Sequence, residues 1–396
     1  MYRYVSAFTI ILLFAMPCMA EVTLFSPRSD QIPSDHVIDI AQDARGALWF
    51  ATDNGLACFD GSWRTLHLNY ANSSAGLISD IVQAVEPDPA GNLWIGYPNG
   101  IQVYNGVSFI TLQDQQLFKS LAVNDLQRSG ASMWVAMDHA GVHRYRDGVW
   151  TWFRPHSADG PGCYQVEQIA EDREHNDIIV VSVQEGIWRY SEEPGTPRFS
   201  EILSGDASLL LIQGAVNDPL GGVYLYNATT VFHYRKAGGI THLLNARDLL
   251  GSTLEIQDIS AGSDGSLWIA TDAGIFRYKD GGVVLYLGRS QEIFGGIVRV
   301  IFADNQGRCW FAMPGFAGYY YDAAYQPVSL DILPPAMTSI STQAPTPPYT
   351  ETTYRISAKP TEAVDSGGPV QAFVERLDWL LQELNKFFGS ISPGRH

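Results

Sequence analysis

Short apolar runs alternate with polar turns from residue 29 to residue 330, at a period of about 44 residues. Most periods share one interior. One apolar run ends in Asp and leads through a Gly turn into a second run centred on an aromatic, followed by Gly and another aromatic. The centres are Trp49, Trp94, Trp134, Val180, Tyr224, Trp268 and Trp310, seven units in all. Two residues on, the side chain is small in six of the seven (Ala51, Gly96, Ala136, Ser182, Ala270 and Ala312), Tyr226 being the exception. Ten or eleven residues on, an aromatic recurs as Phe59, Tyr104, Tyr145, Tyr190, Tyr234, Tyr278 and Tyr320.

These runs have strand length and are bounded by turn residues, so they predict an all-β chain. A period of this length suits one blade, and the expected fold is a seven-bladed β-propeller of four-stranded antiparallel blades over residues 21–330. In the first unit the strands are expected near 36–41, 48–52, 55–59 and 63–68. Runs apolar on both sides, such as Leu48-Trp49-Phe50, fit strands whose two faces both pack on neighbouring blades. Asp60-Gly61, Asn105-Gly106, Asp147-Gly148 and Asp280-Gly281 are strong hairpin signals. Units four and five have lost most of the signature, although 177–181 still reads as a buried strand. Two segments are candidates to complete the last blade: Val22–Phe25, paired with the strand near Tyr319–Tyr321, or Pro327–Leu330.

The ends have different patterns. Residues 1–20 carry Arg3, an apolar run over 5–14 and Cys18-Met19-Ala20, which predicts a secretory signal peptide and a secreted or periplasmic product. Residues 331–368 are rich in Pro, Ser and Thr and read as a linker. Then Val370, Val374, Leu377, Leu381, Leu384, Phe388 and Ile391 recur at helical spacing, predicting one amphipathic helix over 369–389. That helix could make a homo-oligomer through Val370–Ile391 or dock on the propeller. Its polar face carries Glu375, Asp378 and Glu383 against Arg376 and Lys386, which disfavours the third option, a membrane surface.

Charge narrows the partners. The net charge is -17, so nucleic acid and anionic membranes would be approached against repulsion. Beyond residue 20 there are Cys58, Cys163 and Cys309, which excludes a disulfide-dense scaffold. Cys58 and Cys309 fall in blades that meet on ring closure, so either a bridge or two buried thiols fits.

In a propeller the turns between second and third strands share a face with the blade-to-blade connections. That face would carry Asp35, His36, Asp53, Asn54, Tyr97, Asn99, Asp138, His139, Glu185 and Asp272, together with the segments 69–79 and 154–165. Carboxylates, amides and aromatic rings suit a carbohydrate, a peptide or a protein ligand, while Asp and Asn also serve turns for local backbone bonding. Asp53, Asp138, Glu185 and Asp272 could bring oxygens toward a calcium ion, but no compact calcium loop accompanies them. The sequence has no nucleophile elbow, phosphate loop or dinucleotide fingerprint, and no catalytic residue, metal or cofactor is assigned from it.

The units resemble the two-component regulator propeller repeat. The resemblance is carried by Asp43-Ala-Arg-Gly-Ala-Leu-Trp-Phe-Ala-Thr-Asp-Asn-Gly-Leu-Ala-Cys-Phe-Asp-Gly61, by Asp88-Pro-Ala-Gly-Asn-Leu-Trp-Ile-Gly96 and by Asp264-Gly-Ser-Leu-Trp-Ile-Ala-Thr-Asp-Ala-Gly274. It implies the extracytoplasmic sensor portion of a signalling protein, often recognising carbohydrate. This chain has one ring and no kinase or DNA-binding region, so it looks like a free-standing exported relative. The Asp-Gly-x-Leu-Trp blades are also similar to streptogramin-lyase-like propellers, whose activity rests on a few His and Glu on one face. The expectation is therefore a ligand- or protein-binding module; the alternatives are a metal-assisted lyase or hydrolase and a structural envelope component.

Overall fold

The alternation of apolar runs and glycine turns folds into seven consecutive four-stranded antiparallel sheets. The computed structural model describes residues 21–29, 31–112, 121–195, 198–203, 211–250, 254–288 and 296–322. The chain divides into two units, Met1–Thr346 and Pro347–His396. The expected signal peptide, the linker, the terminal helix and the closure candidate Pro327–Leu330 lie outside the described residues.

Blade 1 comprises Val37–Gln42, Leu48–Thr52, Gly55–Phe59 and Trp63–Leu66, within two residues of the strands expected from sequence. The first strands of the seven blades touch in succession, and that of blade 7 (Val300–Ala303) touches that of blade 1, so they form the inner wall of a closed ring. Closure uses the chain's own N-terminal segment. Glu21–Phe25 pairs antiparallel with Phe316–Tyr321 as the outermost strand of blade 7, in the register Glu21 to Tyr321 through Phe25 to Ala317. Blade 7 is thus built from both ends of the propeller segment, and Phe316–Tyr321 is paired on both sides.

Seven hydrophobic clusters, one per seam between adjacent blades, make up the core. The recurrent aromatics explain themselves at these seams. Each central Trp faces the following blade and meets the aromatic of its third strand: Trp49 with Tyr104 at 5.9 Å, Trp94 with Tyr145 at 5.2 Å, Trp134 with Tyr190 at 4.7 Å and Trp310 with Phe59 at 5.3 Å between centroids. Such tilted or edge-on pairs add about 0.5–1.5 kcal/mol to the burial itself. The small residue two positions on faces the same seam, where a larger one would collide. A Cβ on Gly96 would sit 2.5 Å from Val123 Cγ1 of blade 3.

Blade 4 corrects the expected register. Strand pairing matches Ser182 with Gly186, as Thr52 matches Gly55 in blade 1, so the central position is Ile179 and the small position is Val181. Ile179 packs in the seam toward blade 5, as a central residue does, whereas Val180 packs toward blade 3. The cause is a second-to-third-strand turn of three residues, Val183-Gln184-Glu185, one more than in blade 1.

The Asp that ends the first strand acts as the anchor of its turn. Asp43 accepts the backbone N–H groups of Arg45 (2.9 Å) and Ala47 (3.0 Å) and the indole N–H of Trp49 (3.4 Å). Asp88 receives Trp94 at 3.2 Å and Asp304 receives Trp310 at 2.9 Å in the same way. An Asp six residues before a Trp therefore satisfies turn and core together.

No bridge joins Cys58 and Cys309; both are free and buried, as is Cys163. Their blades are neighbours, but Cys58 faces blade 2 and Cys309 faces blade 6, each away from the shared seam.

Candidate functional site

Backbone hydrogen bonds tie the second-to-third-strand turns to the connections beside them, making one continuous face around the channel mouth. Asp53 N–H donates to His36 O, Gly55 N–H to Asp80 O, Val82 N–H to Thr52 O and Asp272 N–H to Glu255 O. Nearly all the residues expected on this face are there, and most of them hold loops. Asp35 accepts the N–H of Gly315 at 2.8 Å and so ties blade 7 to the entry of blade 1. His36 Nδ1 lies 3.1 Å from Asp53 Oδ2, and Asn54 Nδ2 donates to Pro33 O. Partial burial would raise the Asp53 carboxyl, but hydrogen bonds from Ser34 and His36 outweigh it and hold it below the usual range. His139 Nδ1 lies 2.6 Å from Asp138 in a turn where His139 takes a φ of 60°. Asp272 accepts the N–H of Glu255 at 3.1 Å, and Asn99 is exposed.

Glu185 has the largest structural task. It accepts the N–H groups of Tyr164 (2.7 Å) and Gln165 (3.2 Å), fixing the end of the long connection between blades 3 and 4. His156, from the same connection, approaches Glu185 at 3.9 Å.

Tyr97 does not reach the face. It is fully buried, its hydroxyl donates to Gln102 Oε1 at 2.7 Å, and burial holds its pKa well above the usual phenol value. Gln102 is the residue that sequence reasoning missed: it also accepts from Ile78 N–H and donates to Ser73 O and Gly76 O. One buried amide thus pins the 69–79 connection, and nothing in its strand position marks it. The four carboxylates weighed for calcium are not grouped. Asp53, Asp138, Glu185 and Asp272 belong to different blades and are not brought within coordinating reach of one another. Among the described residues the one such group is Asp172, Glu174 and His175, on the opposite face, where Asp172 already serves the N–H groups of Glu174 and Gly222.

Aromatic rings stand out of this face. Tyr70 in the first connection is 94% exposed, Tyr164 in the third is 53% exposed, and Phe316 beside the blade 7 turn is 42% exposed. Together with the His–carboxylate pairs they line the rim of the ring with both ring surface and hydrogen-bonding groups.

The channel below is a cavity of about 580 Å³ whose wall includes Asp39, Asp125, Gln168, Asn217, Tyr226 and Asp258. Its polar groups lace the inner strands together. Asp39 accepts Val85 N–H (2.9 Å), Asp125 accepts Ile169 N–H (2.8 Å), Gln168 accepts Ala215 N–H (2.8 Å) and Asp258 accepts Ile301 N–H (2.9 Å). All four donors are the same position of the next blade, and three of the carboxylates sit at the same bulge of their strand. Burial pushes Asp39 up to about 6 and Glu86 and Asp258 up to about 7, against the N–H groups that favour their charged forms. Asp125 goes well above the carboxylate range, through burial and the nearby charges of Asp39 and Glu86. Tyr226, the exception at the small position, reaches across to donate to Asp258.

Comparison with known proteins places this architecture. The two-component regulator propeller family model matches residues 31–54, the first blade's inner hairpin. No curated protein matches the chain by sequence. Among solved structures it is similar to two extracellular domains assigned to hybrid two-component systems of B. thetaiotaomicron. The first has 19% identity and a TM-score of 0.59, over 76% of this chain and 39% of that one; the second has 20% and 0.60, over 74% and 41%. This chain therefore spans about two fifths of their length. It is also similar to virginiamycin B lyase from Staphylococcus aureus, with 15% identity and a TM-score of 0.58 over 76% of this chain and 99% of that one. A further similar structure is YCF48 bound to D1 peptide, with 15% identity and a TM-score of 0.57 over 78% and 97%. No described helix is long and apolar enough to cross a membrane.

Proposed function

We propose that this propeller of the two-component regulator type is an exported binding module that takes a carbohydrate or a peptide on its connection face. The observation that carries the reading is the set of exposed rings, Tyr70, Tyr164 and Phe316, on the face that also holds His36–Asp53 and His139–Asp138. Exposed aromatics beside amides and carboxylates bind sugars and peptides by ring contact plus hydrogen bonds to hydroxyl or amide groups. Glu185 contributes by positioning, since it holds the backbone of Tyr164. The similar structures support the reading by analogy: one is an extracellular domain of a signalling system, and another is described with a bound peptide.

Glycan and peptide arrays probed with the chain from residue 21 onward test this. A retained ligand whose binding falls at least tenfold in Tyr164→Ala and Tyr70→Ala, with unchanged melting temperature, is the expected result. No retained ligand at micromolar protein sinks it.

A lyase or hydrolase is the second reading, favoured by the His–carboxylate pairs on the same face. A carboxylate that orients an imidazole is part of many general-base sites. Conversion of the array-identified ligand, abolished in His36→Ala or His139→Ala, distinguishes turnover from binding.

A further inference from the structure

Blade 3 breaks the rule that an Asp closes the first turn. Its first two strands, Val123–Ser129 and Ser132–Met137, are joined through Ser129-Gly130-Ala131-Ser132, and the position that follows the inner strand, Asp43 in blade 1, is Ser129. Asp43, Asp88, Asp172, Asp218 and Asp304 hold that position in five of the other turns, and in blade 6, where it is Gly262, Asp264 two residues on serves the turn. The groups that such an Asp would satisfy are still present. Trp134, 3% exposed, occupies the place of Trp49, Trp94 and Trp310, whose indole N–H groups all reach their turn Asp. Trp134 Nε1 has no acceptor among the described residues.

Arg144 makes the same point from the next strand. It pairs across the sheet with Trp134, the position held by Arg277 in blade 6 and His233 in blade 5. Arg277 donates to its turn carboxylate Asp264 at 2.8 Å, and His233 lies 3.0 Å from Asp218. Arg144 instead turns one nitrogen to Tyr190 and to the Glu192 carboxylate of blade 4, and its buried Nε has no acceptor. A cavity of about 460 Å³ lies there, with Trp134, Arg144, Ser132, Tyr190, Glu192 and Glu193 among its walls.

We infer that this cavity is a binding site for a small carboxylate-bearing molecule, whose carboxylate takes the place of the absent turn Asp between Trp134 Nε1 and Arg144. The buried Nε of Arg144 has no acceptor and the unbonded indole N–H of Trp134 belongs to the same cavity wall; in blades 1, 2 and 7 the corresponding indole is met by a carboxylate. The volume is that of a small-molecule pocket, and the serine hydroxyls and the Tyr190 ring supply contacts for a polar body. It lies on the face opposite the connections and does not depend on the function proposed for them.

Isothermal titration of the chain from residue 21 onward tests the site, with glucuronate as the sugar-acid arm, N-acetylglutamate as the amino-acid arm and glucose as the neutral control. At least one carboxylate should bind saturably and alter tryptophan fluorescence, and glucose should not. Trp134→Phe keeps the ring and removes the donor, and should weaken binding about tenfold. Ser129→Asp restores an internal carboxylate and should abolish binding while preserving or raising the melting temperature. The inference fails if neither carboxylate binds at millimolar concentration, if glucose binds equally well, or if Trp134→Phe binds like the parent protein.

Discussion

The seam between blades 7 and 1 and the seam between blades 3 and 4 are built from the same repeat and finished differently. At the first, Phe25, Phe50, Phe59, Trp63, Trp310 and Tyr319 interlock, and Asp304 takes the Trp310 indole and the Arg308 guanidinium. At the second, Trp134, Phe153, Tyr190 and Phe199 stack comparably, and Arg144 lies 5.4 Å from the Trp134 ring centre much as Arg308 lies 5.1 Å from that of Trp310, but no turn Asp meets either Trp134 or Arg144. The apolar half of a seam is thus repeated faithfully while its polar half is not. A repeat can lose a polar anchor and keep its fold, because the rings carry the burial. What it leaves behind is a cavity with unmet donors.

The largest test of that contrast truncates the two tryptophans. Trp310 has no exposed surface and is packed on all sides, so Trp310→Ala should cost about 3–5 kcal/mol in denaturant unfolding. Trp134 already borders a void, so its removal leaves less new empty surface against packed neighbours. Trp134→Ala should cost less, by about 1 kcal/mol or more. Equal costs would show that the cavity does not loosen the seam.

The polar half can be exchanged directly. Asp304→Ala strips acceptors from the N–H groups of Gln306 and Arg308, from the Trp310 indole and from a guanidinium, all at a buried carboxylate. About 2–3 kcal/mol of stability should be lost. Ser129→Asp in blade 3 should run the other way, gaining about 1 kcal/mol as Trp134 and Arg144 acquire an acceptor. A loss in the second variant would mean that the shorter turn has closed off the Asp position for steric reasons.

The contrast also explains what the sequence made legible. Ring contacts need large side chains at fixed offsets, so Trp49, Tyr104 and their equivalents announced blades, strands and period together. Polar ties need only one acceptor somewhere within reach, and their carriers vary. Asp39 and Gln168 do the same inter-blade work with different side chains, and Gln102 pins a connection that is distant in sequence. Even the apolar register failed where a turn gained a residue, moving the centre of blade 4 from Val180 to Ile179. Most residues expected on the connection face are on it, because turns can be counted from glycines. That Tyr97 is internal depended on its partner Gln102, which no local pattern shows.

The smallest effect separates the inner ends of the two seams. Blades 3 and 4 are joined there by Asp125, which accepts Ile169 N–H, and blades 7 and 1 by the neutral amide of Gln42, which accepts Asn305 N–H. Burial raises the Asp125 pKa in the folded protein, so the folded state binds its proton more tightly than the unfolded chain does. Its contribution is then fully present below the unfolded value near 3.8 and is lost as the pH rises through the raised folded value. Asp125→Asn keeps an acceptor oxygen and removes the charge. Its stability relative to the parent protein should therefore increase from pH 4 toward pH 7, the range in which the neighbouring Asp39 and Glu86, at about 6 and about 7, also release their protons. Comparing variant with parent cancels the opposite contribution of buried His143, whose pKa burial depresses to about 4. Gln42→Leu at the other seam should lose about 0.5–1.5 kcal/mol at every pH, with no slope of its own. Paired melting curves at pH 4, 5.5 and 7 measure both, and a flat difference for Asp125→Asn would mean that its carboxyl reaches channel water and keeps an ordinary pKa.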